Sequence, residues 1–586
     1  MSLFAGIYSL NDGVSPPNAM RAEMRNAITR NAEDEIIEFS STRCYLAKID
    51  IGAFGSKGHL DDGAGNFSML TGEPLLPGDR PAGREADLVA IRESLGSERT
   101  DLLELARGVF AAADYREKDG VLTFMTDRLG IRPVYYWVGA EFMIFSSTLR
   151  VIETMSCVPK KMDLRAVTEI AALNYAVADR TPYCGVKLLG PGGIVRAMGR
   201  EITVSTYSDW NDIPISKKPE EQLLVELYNC FVDAVAIRQR GDSGAVAYLS
   251  GGLDSRCVTA ALCEQAKNVH TFNFAREKTQ DQLFGRQFAE QAASIHSEVP
   301  KQPGDLTPDY SLLLANAWKA SNDRIAAPVE RPKLAWSGEG GSVDLGHVHI
   351  GPQVPPFLRA GDARAAVEEF LFKDEIALPL KLFRTSLRDR ISSLVVDGIV
   401  EQIETYRCED PARKFYLFMM LNDQRRKLAG HFENLDRHRL EFQLPFFDTA
   451  FVKLVMSIPL DLCVLHKLYV KWLDLFPKSV ASVAWQAYPD HVPCPVAVPA
   501  GLAYQWDNKH LERERSTRKR SLVRRAAAVL KAKDFPTEIL DRARFGVAVA
   551  AYASGVRDYG YLVETAEVYY KYWNKCSGIY MPLPAQ

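Results

Sequence analysis

The sequence has no Cys-x-x-Cys pair. Its ten cysteines are scattered through 586 residues, so their spacing spells neither a metal knuckle nor a disulfide framework, and reduced thiols in a cytoplasmic protein are the simplest expectation. It also lacks any apolar run of bilayer length, and its first residues lack the basic, apolar, small-residue order of a secretory signal. No membrane span is expected. Nor is there an excess of one charge: the formal net charge is −3, which gives no global reason to expect nucleic acid or a membrane surface as partner. The balance is that of a folded protein, with 25% charged and 47% hydrophobic residues, and the length calls for two or three domains.

The most informative stretch runs from Ala245 through Leu249-Ser250-Gly251-Gly252-Leu253-Asp254-Ser255 to Leu262. A short apolar run breaks at two glycines and resumes with helical spacing, which predicts strand, loop and helix. Gly251 and Gly252 are expected to adopt backbone angles closed to other residues and to let main-chain N–H groups approach a ligand, and the following helix aims its unpaired N–H groups at the same point. Ser250 and Ser255 add hydroxyl donors. Everything there suits an anion except Asp254, and a carboxylate beside a phosphate site makes sense when a divalent cation lies between them. No Gly-Lys-Ser/Thr follows the glycines, so this is not a Walker A loop.

Ser250 to Ser255 resembles the pyrophosphate-binding loop of the ATP pyrophosphatases, and the surrounding sequence resembles the asparagine synthetase branch. The resemblance implies ATP and Mg2+ as cofactors. It implies an α/β chain with an N-terminal Ntn-hydrolase-like αββα sandwich over 1–210. A PP-loop parallel-sheet synthetase domain over 211–586 follows, ending in a largely helical part. The chemistry implied is adenylation of a carboxylate, release of pyrophosphate, and attack by an amine to form an amide.

Residues 1–210 read as short β-rich stretches joined by glycine and proline turns, for example Leu122 to Met125 and Phe142 to Phe145. Val109 to Tyr115, Thr126 to Tyr136 and Phe145 to Ser147 resemble the class II glutamine amidotransferase domain. That family opens Cys-Gly-Ile, with the cysteine's own α-amine as base; the matching residues here are Ala5-Gly6-Ile7. A methyl group cannot attack an amide, and an amine four residues away is not a local base. An Asn-Gly-Glu motif appears as Thr71-Gly72-Glu73, and Tyr45 stands where the family has arginine. The fold is expected without the glutaminase. Cys44 is the alternative nucleophile, against which stands the ordinary role of an internal cysteine as a small core residue.

The polar segment Ser208 to Pro219 marks the expected junction, and Glu220 to Arg238 has helical spacing. A second strand over Val269 to Phe274 and a helix from about Asp281 complete a strand–helix alternation, which predicts a parallel sheet with ligands at its carboxyl ends. Phe272, Asn273 and Phe274 should therefore lie near the nucleotide. His270 and His296 read as structural. Leu334 to Asp344 contains Ser337-Gly338-Glu339-Gly340-Gly341 and is similar to the family's glutamate-bearing loop. The resemblance places Gly338 at the nucleotide and makes Glu339 the carboxylate that deprotonates the amine. The family's second magnesium aspartate falls on Ser342 and the next glutamate on Val343, which leaves Asp344 to join Asp254 at the metal. His347 and His349 alternate as strand-mates would. A zinc pair there lacks a third ligand at a convincing spacing, so a hydrogen-bonded role is expected.

Further on, Leu440 to Asp448 resembles a family segment with Gln443 in place of its arginine, which suggests a changed acid or amine pocket. His466-Lys467-Leu468 resembles the family's lysine helix and assigns Lys467 to charge stabilisation. A basic run from Arg513 to Lys533 with interleaved apolar residues reads as a solvated face or a dock for an acidic partner.

A synthetase without a glutaminase resembles two branches of the family, the β-lactam synthetases and the lasso-peptide macrolactam cyclases. The β-lactam branch usually carries tyrosine where this chain has Glu339, which favours the cyclase; its partner would be a precursor peptide delivered with a leader-binding protein or leader protease. Ammonia-using amidation of a small carboxylate or sugar acid stays open, as does a scaffold that keeps a nucleotide site.

Overall fold

The structure is a computed structural model that describes residues 2–78, 83–97, 99–300, 309–322, 329–504 and 511–580. Two six-stranded sheets form the first half. In chain order their strands are β1 (Ser2–Ser9), β2 (Ile36–Ser40), β3 (Cys44–Asp50), β4 (His59–Asp61), β5 (Phe67–Gly72), β6 (Phe110–Arg116), β7 (Val121–Thr126), β8 (Tyr135–Val138) and β9 (Phe142–Ser146). After the short β10 (Met162–Asp163) come β11 (Val186–Leu188), β12 (Gly193–Met198) and β13 (Glu201–Thr206). One sheet has the order β11-β8-β9-β1-β3-β2 and the other β13-β12-β7-β6-β5-β4, antiparallel throughout.

The alternation of side chains in β1 shows how the layers stack. Phe4 and Tyr8 join Leu46, Phe67, Phe124 and Phe145 in the core between the sheets, whereas Leu3, Ala5 and Ile7 join Met20, Met24 and Ile28 of the helix α1 (Asn18–Ile28). Every residue of β1 is buried, as a strand with a sheet on one face and helices on the other must be. This is the expected αββα sandwich.

The second half holds a five-stranded sheet of β14 (Gly244–Tyr248), β15 (Asn268–Asn273), β16 (Ile295–Glu298), β17 (Leu334–Trp336) and β18 (Glu441–Gln443). Its order is β16-β15-β14-β17-β18 and every neighbouring pair is parallel. From β14 the chain steps first to β15 on one side and later to β17 on the other, so the topological switch lies between β14 and β17, the place where such sheets bind ligands. The predicted helix before β14 is Glu220–Gln239, burying Leu223, Leu227, Phe231, Ala234 and Val235.

The last helices do not stay with this sheet. Leu511–Lys531, Arg542–Ser554 and Gly560–Trp573 share a core with α1 and with the helix Leu164–Leu173 of the first half, and β19 (Ile579–Tyr580) pairs with β10. In the basic run, Leu522 and Val529 are buried, while Arg518 and Arg525 pair with Glu564 and Glu567 at 3.1 and 3.2 Å; Arg513 and Arg515 lie outside the described side chains. The run is thus a charged face over an apolar stripe. Among the described residues, no single helix is long and apolar enough to cross a membrane.

Candidate active site

β14 ends at Tyr248, and the helix Asp254–Gln265 begins six positions later. The loop between them is braced from both sides. Asn273, at the end of β15, donates its amide to the Leu249 carbonyl at 2.9 Å, Asp281 accepts the Gly251 N–H at 2.6 Å, and the Ser250 N–H donates to Ser255 Oγ at 3.0 Å. The two glycines differ from expectation in their reason for being there, since neither has a positive φ. A Cβ on Gly251 would lie 2.7 Å from the Asp281 backbone, whereas one on Gly252 would meet only Ser250 Oγ at 3.4 Å. Gly251 permits close packing and Gly252 leaves open space.

β17 brings the second loop to the same point. A Cβ on Gly338 would lie 2.5 Å from the Ser255 nitrogen, and one on Gly341 2.7 Å from the Asp254 carboxyl carbon. The glycines therefore let the glutamate loop press against the first turn of the phosphate-loop helix. Ser342 reaches Asp254 directly, its N–H donating to Oδ2 and its hydroxyl to Oδ1, both at 2.9 Å. The Tyr469 hydroxyl donates to Oδ1 at 2.7 Å. Burial nevertheless pushes the Asp254 carboxyl above the usual range, its donors pulling it part of the way back.

Asp254, Ser250, Ser255, Gly338 and Glu339 line one open cleft of about 870 Å³. Glu339 meets the cleft's water but sits deep between its walls, so desolvation and then the Asp254 charge push its carboxyl up, against the pull of Lys427. The far walls carry charge of both signs, from Lys427, Arg437 and Asp309, and the aromatic surfaces of Tyr248, Tyr310 and Phe442. Lys427 extends from the helix Arg425–Glu433, which follows a π-helical turn at Met419–Gln424, and pairs with Asp423 at 2.9 Å.

A magnesium ion can be tested against these donors. Among the described residues no group of three or more His, Cys, Asp or Glu comes together, so there is no protein cage. A carboxylate has about four acceptor sites; three donors on Asp254 leave about one. That fits an ion held by one carboxylate and otherwise by phosphates and water.

Four of the expected residues lie elsewhere. Lys467 opens the helix Lys467–Trp472 and is exposed, while Leu468, Tyr469 and Trp472 turn inward; it does not line the cleft. Asp344 is wholly buried beneath the glutamate loop, where the Tyr416 hydroxyl donates to Oδ1, and it is not brought beside Asp254. Phe272 is buried edge-on to Trp318, with centroids 6.2 Å apart, and Phe274 lies edge-on to Tyr248 at 6.1 Å, one layer behind the cleft wall. His347 and His349 occupy a turn rather than a strand; His347 Nε2 meets Arg413 at 2.8 Å and His349 pairs with Asp374 at 3.0 Å, so they do not form a metal pair.

The residues that the sequence reading missed come from one late segment. Trp485, Gln486, Tyr488, His491 and Tyr504 close over the loop and, with His466, line a smaller cavity of about 110 Å³ that shares Ser250, Asp254, Ser342 and Tyr488 with the main cleft. The segment is tied down by Arg256, wholly buried, whose guanidinium donates to the carbonyls of Gly252, Val480, Val483 and Ala484 at 2.7–3.1 Å. An arginine within an otherwise buried helix face was the available signal.

In the sandwich, Ala5 is wholly buried and its neighbours across the sheet are Ala47 and Ser146. At the end of β1, Ser2, Lys48, Asp50 and Arg84 form a buried polar cluster, with Asp50 accepting from Lys48 at 2.6 Å and from Arg84 at 2.8 Å. Cys44 lies in the core between the sheets, and burial pushes its thiol up, the opposite of what a nucleophile needs.

Over residues 86–208 the chain matches the glutamine amidotransferase domain family, and over 226–339 the asparagine synthase family. It is 33% identical over 190 residues to a putative glutamine-hydrolyzing asparagine synthetase 2 of Methanocaldococcus jannaschii, covering 31% of this chain and 36% of that one. It is 25% identical over 206 residues to the glutamine-hydrolyzing asparagine synthetase 3 of Bacillus subtilis, covering 33% of each. The matched stretch thus spans about a third of the length of these relatives. Among solved structures, a glutamine phosphoribosylpyrophosphate amidotransferase from B. subtilis, complexed with ADP and GMP, aligns over 52% of this chain and 82% of its own at 8% identity, with a TM-score of 0.25.

Proposed function

We propose, on the premise that this chain belongs to the asparagine synthetase family through its paired glutamine amidotransferase and asparagine synthase domains, an ATP-dependent, AMP-forming amide synthetase that does not use glutamine. The observation that carries the reading is the meeting of the phosphate loop and Glu339 across one cleft. A substrate carboxylate oxygen attacks the α-phosphorus of ATP and the bond to the β-phosphate oxygen breaks. Pyrophosphate leaves and an acyl-adenylate remains. An amine then attacks the acyl carbon, its proton passes to Glu339, and AMP departs with the carboxylate's former oxygen. A carboxyl whose affinity for protons is raised by its surroundings is suited to that transfer. Magnesium, held by Asp254, would neutralise phosphate charge.

Ala5 offers no nucleophile, and its nitrogen is in peptide linkage to Phe4. Ammonia is therefore not made in place from glutamine, and an amine carried by the substrate itself is the economical source, because joining both groups in one molecule supplies a large effective concentration. A cleft of about 870 Å³ lined by charges of both signs suits such a substrate. The finer reading is macrolactam formation in a lasso-type peptide, between its N-terminal amine and an Asp or Glu side chain.

The test is incubation of a peptide bearing both groups with ATP and magnesium. AMP, pyrophosphate and a product lighter by one water are expected, with no uptake of labelled ammonium and no glutamate released from glutamine. Label in a primary amide, without dehydrated product, would replace the cyclase with the ammonia-using synthetase of a small carboxylate or sugar acid.

A further inference from the structure

The helical segment that gives Gln424, Lys427 and Leu428 to the cleft gives Leu421, Asn422 and Arg425 to a second cavity, of about 330 Å³, at the junction of the two halves. The two spaces share no residue. Both are supplied from the π-helical turn Met419–Gln424 and the residues just after it, and such turns, poorer in hydrogen-bond geometry than an α-helix, are found frequently at functional sites.

Arg425 is 2% exposed and lines this cavity. Its Nε donates to the Gly130 carbonyl at 3.0 Å and its Nη2 to the Leu189 carbonyl, which leaves Nη1 without a protein acceptor. Among the described residues no carboxylate comes within ion-pair distance of it. Asp127 acts on it from farther off, but its oxygens accept from the N–H groups of Leu129, Ile131 and Arg132 at 3.0–3.2 Å. Burial and the neighbouring Arg426 push the Arg425 guanidinium down to about 9. A buried cation without a counter-ion is costly, and an anion entering the cavity supplies one. The neutral groups alongside are already answered, since the Asn422 amide donates to the Tyr406 hydroxyl at 3.0 Å and accepts from the Ala178 N–H at 2.8 Å.

The rim carries the opposite charge. Asp179 and Asp209 line the cavity with half-exposed side chains, and pair with Lys187 at 3.1 Å and Arg407 at 3.6 Å; Asp209 also accepts from Asn211. Exposed pairs of this kind contribute little and give way to another cation readily. Between depth and rim lie the apolar surfaces of Trp210, Tyr406 and Leu421. A dianion would bring its second charge against the rim carboxylates, and a simple cation would leave Arg425 unanswered.

We propose that this cavity is a binding site for a small zwitterion of the amino-acid class, its carboxylate held by Arg425 and its ammonium by Asp179 and Asp209. The site stands apart from the cleft and does not depend on the adenylating reading.

Calorimetric titration and thermal melting of the full chain with each common L-amino acid in turn test it. At least one is expected to bind and to raise the melting temperature of the wild type. Its amino alcohol, which lacks the carboxylate, should bind about tenfold more weakly or worse, the scale of a hydrogen bond between charged groups. Its N-acetyl derivative, which lacks the ammonium, should lose about threefold or more, the scale of an exposed ion pair. Asp179→Asn combined with Asp209→Asn should give the amino acid that same loss and leave the N-acetyl derivative unchanged. Arg425→Gln should abolish binding; if that variant fails to fold, the comparison of acid with amino alcohol decides in its place. A wild-type chain that binds no amino acid, or an amino alcohol that binds as tightly as the acid, would overturn the site. Unchanged affinity in the double rim variant would do the same, by placing the amino acid elsewhere on the chain.

Discussion

At the scale of single residues, the site is decided by which carboxylates are answered by donors. Asp254 receives three, from Ser342 and Tyr469, whereas Asp344 receives the Tyr416 hydroxyl on one oxygen and nothing on the other. Burial pushes the Asp344 carboxyl up to about 8. The folded protein therefore keeps a proton there that the unfolded chain gives up near pH 4, so this residue's contribution to stability is complete below that pH and is lost as pH rises towards 8. Asp344→Asn keeps a carbonyl for Tyr416 and has no proton to lose. Denaturant midpoints at pH 5, 7 and 9 should show the variant gaining on the wild type by about 1 kcal/mol or more across the series. Parallel curves would mean that the carboxyl is charged throughout.

At the scale of elements, the two loops act as one unit. Because a Cβ on Gly338 would lie 2.5 Å from the Ser255 nitrogen, Gly338→Ala must separate the glutamate loop from the phosphate-loop helix, at about 1–3 kcal/mol. Gly252→Ala should fold normally, since its Cβ has room, and any loss of nucleotide affinity would then measure how closely the phosphates approach. Thermal melting and ATP titration of both variants check this pair; a stable Gly338→Ala with normal ATP affinity would contradict the packing.

The same elements show what was legible in the chain. The strand, the loop and the two glycine-bearing turns could be read because their signals are local: an apolar run, a break, then donors and a carboxylate within a few residues. Lys467 could not be placed that way. Leu465 and His466 both take left-handed angles, φ 60 and 62°, a double turn that brings His466 to the cavity and rotates Lys467 outward. Spacing alone does not foretell two such residues in a row. The segment that closes over the loop is illegible for another reason: Arg256 holds it through the carbonyls of Val480, Val483 and Ala484, and such long-range contacts leave no local pattern. The rule that ligands sit at the carboxyl ends of the strands does not separate one strand from another, and the cleft opens beyond β14, β17 and β18 rather than at Phe272 and Phe274 of β15 and its continuation.

At the scale of the whole molecule, the halves are joined by buried charge. Asp448 is wholly buried, accepts from Arg107 of the sandwich at 3.0 Å and from Arg238 at 2.7 Å, and also caps the helix Thr449–Ser457. Asp448→Ala would leave Arg238 buried and unpaired, a loss of about 3–5 kcal/mol, and should cost stability in denaturant without any change at the cleft. A variant as stable as the wild type would show that the interface does not depend on this junction. With Arg425 donating to the Gly130 and Leu189 carbonyls and Arg132 paired with Glu441, the sandwich serves as a wall against which the second half is built.

Glu73 and Gln443 fasten that wall to the second sheet. The Gln443 amide donates to Glu73 at 2.9 Å, and Arg240 closes on the same carboxylate at 2.8 Å. A carboxylate that follows β5 and an amide at the end of β18 are therefore a single buried contact between the two halves, so a change on either side must suit the other. Exchanging one half for another would leave Glu73 or Gln443 facing a surface it does not fit.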